Sequence, residues 1–342
     1  MGLGHIKVNV DAKVDLTKPL ETLTACSTKG AGKVLDCLWG KRLNDVYRDR
    51  ALTAAQTQKD VNDILEGKSR YDGGEVLSLG QNTPLALHYD YVTRQEHENL
   101  AATLEMVAQK VQELDDKEVS DEPVESGWFL RWRREAMCVG RPELQNLLAG
   151  LLAENIKNTS TISLRTLDIA KNLTGQDSKD FDKIVPFILN GRIIPIAEDS
   201  GCRMAQIENR FVELEYHYPP GIDYSLLLRL QQAGLLLSST RKFIPPKIQQ
   251  IDGVINSKLT CNGYTYFTVK ISRHYYVWCH QLTDVGIEIL KASMSKMPTN
   301  NQIEWTARCL SKVWDDIDYT YDKYNIIVHN PDGSIVYDTR SQ

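Results

Sequence analysis

The clearest hydrophobic pattern of the chain lies in residues 93–114. Apolar residues recur there at steps of 4, 3, 4 and 3 positions, with mostly polar residues between them. This spacing predicts an amphipathic helix with one apolar row along its length. The row consists of Leu100, Leu104, Val107, Val111 and Leu114. Two interpretations stay open, because the row fits either a helix packed on its own core or the seam of a coiled-coil contact in a homo-oligomer.

Residues 127–195 show a second helical pattern, made of shorter segments. Gly140-Arg141-Pro142-Glu143 predicts a helix with proline in its first turn, and a leucine-rich face follows it. Ser163 is expected to cap the next helix, and Gly175 to begin another. The pattern predicts a compact core of four short helices.

Residues 222–297 mix helical and strand patterns. Residues 224–236 predict a helix that ends at Gly234, and residues 282–290 predict a second helix. The strands predicted between them are 248–255, 263–271 and 275–282. A helix, a β ribbon and a second helix in this order are typical of a winged-helix-like unit.

The other segments carry weaker patterns. Residues 67–90 predict a loop because of their glycines and Pro84, while the C-terminal segment predicts a helix around 304–314 and a hairpin turn at Asn330-Pro331-Asp332-Gly333. The expected fold class is mainly α (α+β), with a helical bundle core followed by a winged-helix-like domain with a small β ribbon. The predicted division is an N-terminal helical region (1–70), a loop, amphipathic helix and acidic linker (71–126), the helical core (127–195), the winged-helix-like domain (196–300) and a C-terminal helix and hairpin (301–342).

The charge of the chain is unevenly distributed. The 40 basic and 45 acidic side chains give a formal net charge of −5, which argues against a protein that is basic all over and coats nucleic acid. Residues 71–126 hold 13 of the acidic residues and only 3 basic ones. This segment fits either a solvated helix and linker, or an acidic arm that contacts a basic surface of its own dimer or of a partner.

The sequence shows no familiar catalytic or metal-binding motif. Its seven cysteines are dispersed without a Cys-x-x-Cys pair, and its histidines lack the spacing of metal ligands. We therefore expect reduced thiols, no metal and no cofactor. The absence of a signal peptide and of a long apolar run predicts a cytoplasmic protein without a transmembrane span, and we expect no peripheral membrane contact.

Three places in the sequence offer binding chemistry. Arg131, Arg133 and Arg134 lie among tryptophans that include Trp132, so this cluster fits a nucleic-acid surface or a helix with a tryptophan core face and a solvated arginine face. Arg165 is a candidate for a ligand contact, or for a structural tie from its helix start to Glu154 or Glu143 through paired hydrogen bonds. His274 is a candidate surface contact on the wing.

The segment from Trp128 to Phe181 resembles a known family. The residues that carry the resemblance are Trp128-Phe129, Glu135-Ala136, the run from Glu143-Leu144-Gln145 to Leu152-Ala153-Glu154, Ile162-Ser163-Leu164-Arg165-Thr166-Leu167, Leu173-Thr174-Gly175-Gln176-Asp177 and Phe181, with Leu282-Thr283-x-x-Gly286 further on. They are similar to the pattern of the bacterial family called domain of unknown function 2806. The resemblance covers most of residues 15–300.

Three departures identify the chain as a divergent member of that family. Leu148 stands where the family usually has tryptophan, Glu154-Asn155 where it has Gly-Glu, and Thr159-Ser160 where it has a proline-glycine turn. The family carries no established activity. A similar module appears in proteins of abortive infection, so the resemblance implies phage–host conflict as the context.

These observations lead to one main functional hypothesis and two alternatives. The main one is a non-enzymatic binding or regulatory component of a bacterial system, in anti-phage defence of the abortive-infection type, which acts through homo-oligomerisation and contacts with a protein partner. The first alternative is a nucleic-acid-binding protein that uses the winged-helix-like domain and the Arg/Trp cluster. The second is an enzyme, such as a nuclease, with a noncanonical site built from scattered carboxylates.

Overall fold

The computed structural model describes Thr22, Leu23, Ala25 and residues 28–39, 69–72, 75–78, 84–198, 216–251, 254–269, 271, 275–293, 296–315 and 320–341. The chain divides into two compact units, Met1–Leu167 (unit 1) and Asp168–Gln342 (unit 2). The described residues combine α-helices with antiparallel strands, so the fold class is α+β. The finer five-segment division stays a prediction.

Unit 1 is built mainly from helices. Its described elements are α1 (Lys29–Trp39), the hairpin of β1 (Ser69–Asp72) and β2 (Glu75–Ser78), α2 (Pro84–Gln112), α3 (Ser126–Cys138), α4 (Pro142–Lys157) and α5 (Leu164–Ala170), whose last turn belongs to unit 2. The longest helix, α2, contacts α1, α3 and α4. It therefore forms the centre of the unit.

The apolar row of α2 is buried inside unit 1. Leu100, Leu104, Val107 and Val111 are at most 3% exposed, whereas Leu114, beyond the end of the helix, is half-buried. The helix agrees with the interpretation that it packs on its own core, and the coiled-coil contact stays a prediction.

Residues 67–90 contain regular structure, so the loop prediction is wrong for much of this segment. Strands β1 and β2 form an antiparallel pair in which Asp72 lies opposite Glu75. Helix α2 begins at Pro84, where proline is tolerated because the first turn of a helix does not use its backbone N–H groups. The glycines of this segment and Pro84 predict a loop because glycine and proline also interrupt regular structure.

Helices α3 and α4 are joined by buried hydrogen bonds. The indole N–H of Trp132 donates to the carbonyl of Leu148 at 2.8 Å, and the side-chain amide of Gln145 donates to the carbonyl of Val139 at 2.9 Å. Helix α4 has Pro142 in its first turn, and Ser163 accepts a hydrogen bond from the backbone of Thr166 at the start of α5. Both predicted helix starts are confirmed.

Unit 2 combines helices with several small sheets. Its described helices are α6 (Gly175–Ile184), α7 (Tyr224–Gln232), α8 (Asp284–Ala292) and α9 (Asn300–Ser311). Its described strands are β3 (Ile193–Pro195), β4 (Ala197–Glu198), β5 (Tyr216–His217), β6 (Arg241–Phe243), β7 (Lys247–Ile251), β8 (Val254–Cys261), β9 (Tyr264–Val269), β10 (Val277–Gln281), β11 (Lys312–Asp315), β12 (Thr320–Lys323), β13 (Asn325–His329) and β14 (Ile335–Asp338). They form a three-stranded sheet in the order β3-β10-β6, a five-stranded sheet in the order β14-β13-β9-β8-β7, and the pairs β4-β5 and β11-β12.

The core of unit 2 lies between the five-stranded sheet and α9. Alternate residues of the central strands, among them Leu259, Tyr266 and Val328, point into one cluster with Leu310 of α9. The hydroxyl of Tyr275 donates to the carbonyl of Leu310 at 3.1 Å, which satisfies a polar group inside this core.

The strand predictions are partly confirmed. Strands β9 and β10 lie inside the predicted ranges 263–271 and 275–282, and the predicted turn at residues 330–333 joins β13 to β14. The range 248–255 is wrong as a single strand, because β7 ends at Ile251 and its antiparallel partner β8 runs from Val254 to Cys261. The C-terminal helix is α9, and residues 312–315 form a strand instead of its last turn.

Candidate functional site

The predicted Arg/Trp cluster on α3 is largely a core face. Trp132 is fully buried, and Trp128 is 3% exposed. Arg131 forms an ion pair with Glu135 at 2.9 Å, while Arg133 is half-buried and Arg134 exposed. The cluster therefore agrees with the interpretation of a tryptophan core face beside solvated arginines, because the rings are not accessible to stack on bases.

The other predicted candidates lie apart from this cluster. Arg165 is exposed in the first turn of α5, and Glu154, which the structural hypothesis offered as its partner, forms an ion pair with Lys157 at 2.9 Å. A ligand contact of Arg165 stays a prediction. His274 lies outside the described residues.

The acidic segment contacts the basic start of α1 within unit 1. The backbone N–H of Lys29 donates to Asp116 at 2.8 Å, and its ammonium group donates to Asp121 at 2.5 Å and to the carbonyl of Val119 at 2.8 Å. Lys33 donates to the carbonyl of Glu122. Part of the acidic arm therefore binds a basic surface of its own chain.

A cleft in unit 2 brings together charged and apolar side chains. It has a volume of about 420 Å³, and its lining residues are Ile169, Asn172, Leu173, Asp177, Arg229, Gln232 and Ala233. The lining comes from the last turn of α5 and the residues that follow it, the first turn of α6, and the end of α7 with its C-cap residue Ala233. We call it the α6–α7 cleft.

The guanidinium of Arg229 is held in this cleft by a buried carboxylate. Its Nε and Nη2 donate to the same oxygen of Asp180, at 2.8 and 2.6 Å, and Asp180 is fully buried. The other oxygen of Asp180 accepts hydrogen bonds from Gln176 at 2.8 Å and Lys183 at 3.2 Å. Burial alone would raise the pKa of Asp180, but these hydrogen bonds and the charge of Arg229 hold it below the ordinary value.

The polar groups that line the cleft are partly used in structural hydrogen bonds. One oxygen of Asp177 accepts from the backbone and the hydroxyl of Thr174, which completes the N-terminal cap of α6. The amide nitrogen of Asn172 donates to the carbonyl of Asp168 at 2.7 Å. Within the described residues, no hydrogen bond is recorded for the second oxygen of Asp177 or for the amide oxygen of Asn172.

A second surface of unit 2 combines lysine with aromatic rings. The ammonium of Lys242 lies 4.3 Å from the ring centroid of Tyr276 and 5.3 Å from that of Trp278. Arg241 and Lys242 are exposed on β6, which pairs with β10 alone among the described strands and is an edge of the three-stranded sheet. We call Arg241, Lys242, Tyr276 and Trp278 the β6 edge.

Sequence reasoning missed both surfaces. Arg229 looked like a lone basic residue, because Asp180 lies 49 positions away in the sequence. The signal for the β6 edge was the pair Arg241-Lys242 followed by Tyr276 and Trp278 in the predicted ribbon. The strand that contains Tyr276 and Trp278 was predicted, but β6, which carries Arg241 and Lys242, lies before the first predicted strand of the ribbon and was missed.

Metal-binding clusters and membrane-spanning helices are both absent from the described residues. No group of three or more His, Cys, Asp or Glu side chains there could hold a metal ion. None of the helices in that part of the chain is both long enough and apolar enough to cross a membrane.

Comparison with known proteins identifies the family of the chain. No curated protein and no solved structure matches it. A family model described as a protein of unknown function, DUF2806, matches residues 89–302, which is more than half of the chain. The departures at Leu148, Glu154-Asn155 and Thr159-Ser160 all fall inside this range. They are therefore variations within a family to which the chain belongs, the DUF2806 family.

Proposed function

We propose that this chain is a binding protein that contacts nucleic acid through the β6 edge. The observation that carries the proposal is the position of Lys242 over the rings of Tyr276 and Trp278 on an exposed edge strand. The exposed Arg241 and Lys242 can contact phosphates, and the half-buried ring of Trp278 can stack on a base, whereas Tyr276, at 7% exposed, serves only to position Lys242. The anti-phage setting, the homo-oligomer and the nuclease alternative stay predictions.

The order of elements around this edge supports the proposal. Along the chain, α7 is followed by β6, by β7–β9 of the five-stranded sheet, by β10, which pairs with β6, and then by α8. We interpret these elements as a winged-helix-like unit whose contact surface is the strand edge. The exposed face of α7 includes Tyr224, Ser225 and Leu228 and carries little positive charge. This composition disfavours α7 as a recognition helix that binds DNA phosphates.

The test is fluorescence anisotropy of labelled duplex DNA, single-stranded DNA and RNA, titrated with the protein across a salt series. We expect binding that weakens as salt rises, because phosphate contacts release counterions. Lys242→Ala should weaken binding about tenfold and lower the salt slope by about 1, since one phosphate contact is lost. Arg241→Ala should act in the same direction.

Two control variants make the result specific. Lys258→Ala removes an exposed lysine of β8 in the same unit, and Arg134→Ala removes an exposed arginine of the predicted Arg/Trp cluster. Neither should change the affinity by more than about twofold. No binding at low salt, or an Arg134→Ala loss that exceeds the Lys242→Ala loss, would overturn the proposal.

A further inference from the structure

The α6–α7 cleft has the size of a small-ligand site. Its volume of about 420 Å³ lies near the lower end of the range for pockets that hold small molecules, about 300–1,000 Å³. Its apolar wall is formed by Ile169, Leu173 and Ala233, and the side chains of four polar residues complete the lining. This mixture is typical of sites that bury an apolar group and orient it through a few polar contacts.

The polar lining has one positive and one negative pole. Arg229 keeps Nη1 for further contacts, since Nε and Nη2 are bound to Asp180 and the bond of Nη1 to Ser225 is long, at 3.4 Å. Asp177 supplies the negative charge, and the oxygen of Asn172 adds an acceptor. We propose that the cleft binds a small zwitterion with an apolar side chain, namely a free α-amino acid or a dipeptide.

The two poles account for both charges of such a ligand. The ligand carboxylate accepts from Nη1 of Arg229, the ligand ammonium donates to Asp177 and Asn172, and the side chain lies on Ile169, Leu173 and Ala233. A ligand with only a carboxylate gains the first contact but is repelled by Asp177. A ligand with only an ammonium is repelled by Arg229, so the site selects molecules that carry both charges.

The guanidinium is positioned before a ligand arrives. The two hydrogen bonds to the fully buried Asp180 restrict the side chain of Arg229, although 41% of that side chain is exposed. A preorganised group loses less conformational entropy on binding than a mobile one. Asp177 is likewise held by its bonds to Thr174, so both poles are fixed by the fold.

The experiment is isothermal titration calorimetry of the full chain with matched probes. Leucine and the dipeptide Leu-Leu carry both charges, 4-methylpentanoate carries only the carboxylate, and 3-methylbutylamine carries only the ammonium. We expect at least one of the two zwitterions to bind with a Kd below about 1 mM, and the single-charge probes to bind at least tenfold more weakly. The preference between leucine and Leu-Leu distinguishes a free amino acid from a peptide.

Three variants test whether the measured binding heat comes from a ligand in the α6–α7 cleft. Asp177→Asn keeps an oxygen for the cap with Thr174 but removes the charge, so it should weaken zwitterion binding about tenfold and strengthen 4-methylpentanoate binding. Ala233→Phe should abolish binding by filling the cleft, with circular dichroism to verify that the variant is folded. Asp182→Asn, which removes the same charge from the outside of α6, should leave the affinity unchanged.

Several results would overturn the inference. They are an absence of heat with both zwitterions at about 1 mM, equal affinity for a single-charge probe, or unchanged binding in a folded Ala233→Phe variant. The inference does not depend on the β6 edge, because its probes contain no nucleic acid and its variants leave Arg241 and Lys242 in place.

Discussion

Gly286 stands where the start of α8 meets the end of α7. A Cβ atom at this position would lie 2.3 Å from the carbonyl oxygen of Leu235, which is far inside van der Waals contact. The neighbouring hydroxyl of Thr283 donates to the carbonyl of Gly234 at 2.6 Å and accepts from the backbone of Gly286 at 3.0 Å. The Leu-Thr-x-x-Gly motif therefore fastens two helix ends to each other.

Gly286→Ala is expected to destabilise unit 2. The added methyl group meets a backbone oxygen that cannot move aside like a side chain, so the free energy of unfolding should fall by about 1–3 kcal/mol. Urea denaturation followed by circular dichroism measures the change. Gly175→Ala is the control, since a Cβ there has nothing within 4 Å and the variant should be neutral or slightly stabilising. Equal stability of the two variants would contradict the proposed close approach.

Single residues were predictable where their role is local. Gly234 has φ of +78°, the left-handed conformation that ends a helix, and Thr283 caps α8, and both roles follow from short-range sequence signals. Their contact with each other was not predictable, because it depends on how the chain returns after 49 residues. The ion pair of Arg229 with Asp180 has the same sequence separation and was missed for the same reason.

At the scale of elements, α2 shows that a heptad-like row of apolar residues can pack against helices of its own chain. Its apolar residues contact helices of unit 1, and Leu104 is 1% exposed there. The spacing of such a row is the same whether its partner helix belongs to the same chain or to another copy. The sequence therefore predicted the helix and its buried face but left the partner open.

Leu104→Asp should unfold unit 1. It removes a buried side chain and places a charge in the core, and the two costs together exceed about 4 kcal/mol. We expect a large loss of helical circular dichroism and of the cooperative unfolding transition. Tyr91→Asp on the same helix is the control, because Tyr91 is 65% exposed and its replacement should leave both signals unchanged.

Light scattering on the same variants tests the coiled-coil prediction. A seam between two copies would make Leu104→Asp a folded protein of lower mass, with circular dichroism like that of the unaltered chain. That outcome would contradict the packing of α2 on its own core. An unfolded Leu104→Asp variant, with Tyr91→Asp folded, would support the intrachain packing.

The elements that sequence patterns predicted least well were strands β1, β2 and β8. In β8, exposed Lys258 and Thr260 alternate with buried Leu259 and Cys261, and Ile251 of β7 pairs with Val254 at the start of β8. The sequence held a signal for two strands here, because Asp252-Gly253 is a pair typical of hairpin turns, but the isoleucines and valine on both sides of it favoured one strand. Strands β1 and β2 are only four residues each, too short for a periodic signal to outweigh the Gly73-Gly74 pair between them.

At the scale of the whole molecule, we expect the two units to differ in how their stability depends on pH. Unit 2 contains His280 on β10, which is 3% exposed and stacks on Tyr218 with ring centroids 6.2 Å apart. Neither ring nitrogen has a hydrogen-bond partner among the residues that the structure describes. Burial therefore lowers the pKa of His280 from 6.5 to about 4, because a charged imidazole would lose its hydration without compensation.

The lowered pKa of His280 makes the folded protein less stable at acidic pH. Below pH 6.5 the unfolded chain takes up a proton at this position while the folded chain does not, so stability falls as the pH drops from 6.5 towards 4. At about pH 5 the loss should be about 2 kcal/mol relative to neutral pH. Asp180 contributes little above about pH 5, because its pKa is lowered in the folded chain and an Asp of the unfolded chain takes up a proton only near its ordinary pKa of about 4.

Hydrogen exchange with mass spectrometry can locate this loss, because it reports the opening free energy of each segment. Between about pH 7.5 and about pH 5, after correction for intrinsic exchange rates, peptides that cover Val277–Gln281 should lose about 2 kcal/mol of protection. Peptides from α3 and α4 serve as the internal reference and should change much less, because unit 1 has its own core. His280→Phe keeps a ring beside Tyr218 but cannot be protonated, so it should remove the difference between the units. Equal losses in both units, or a loss that persists in His280→Phe, would show that another group governs the acid sensitivity.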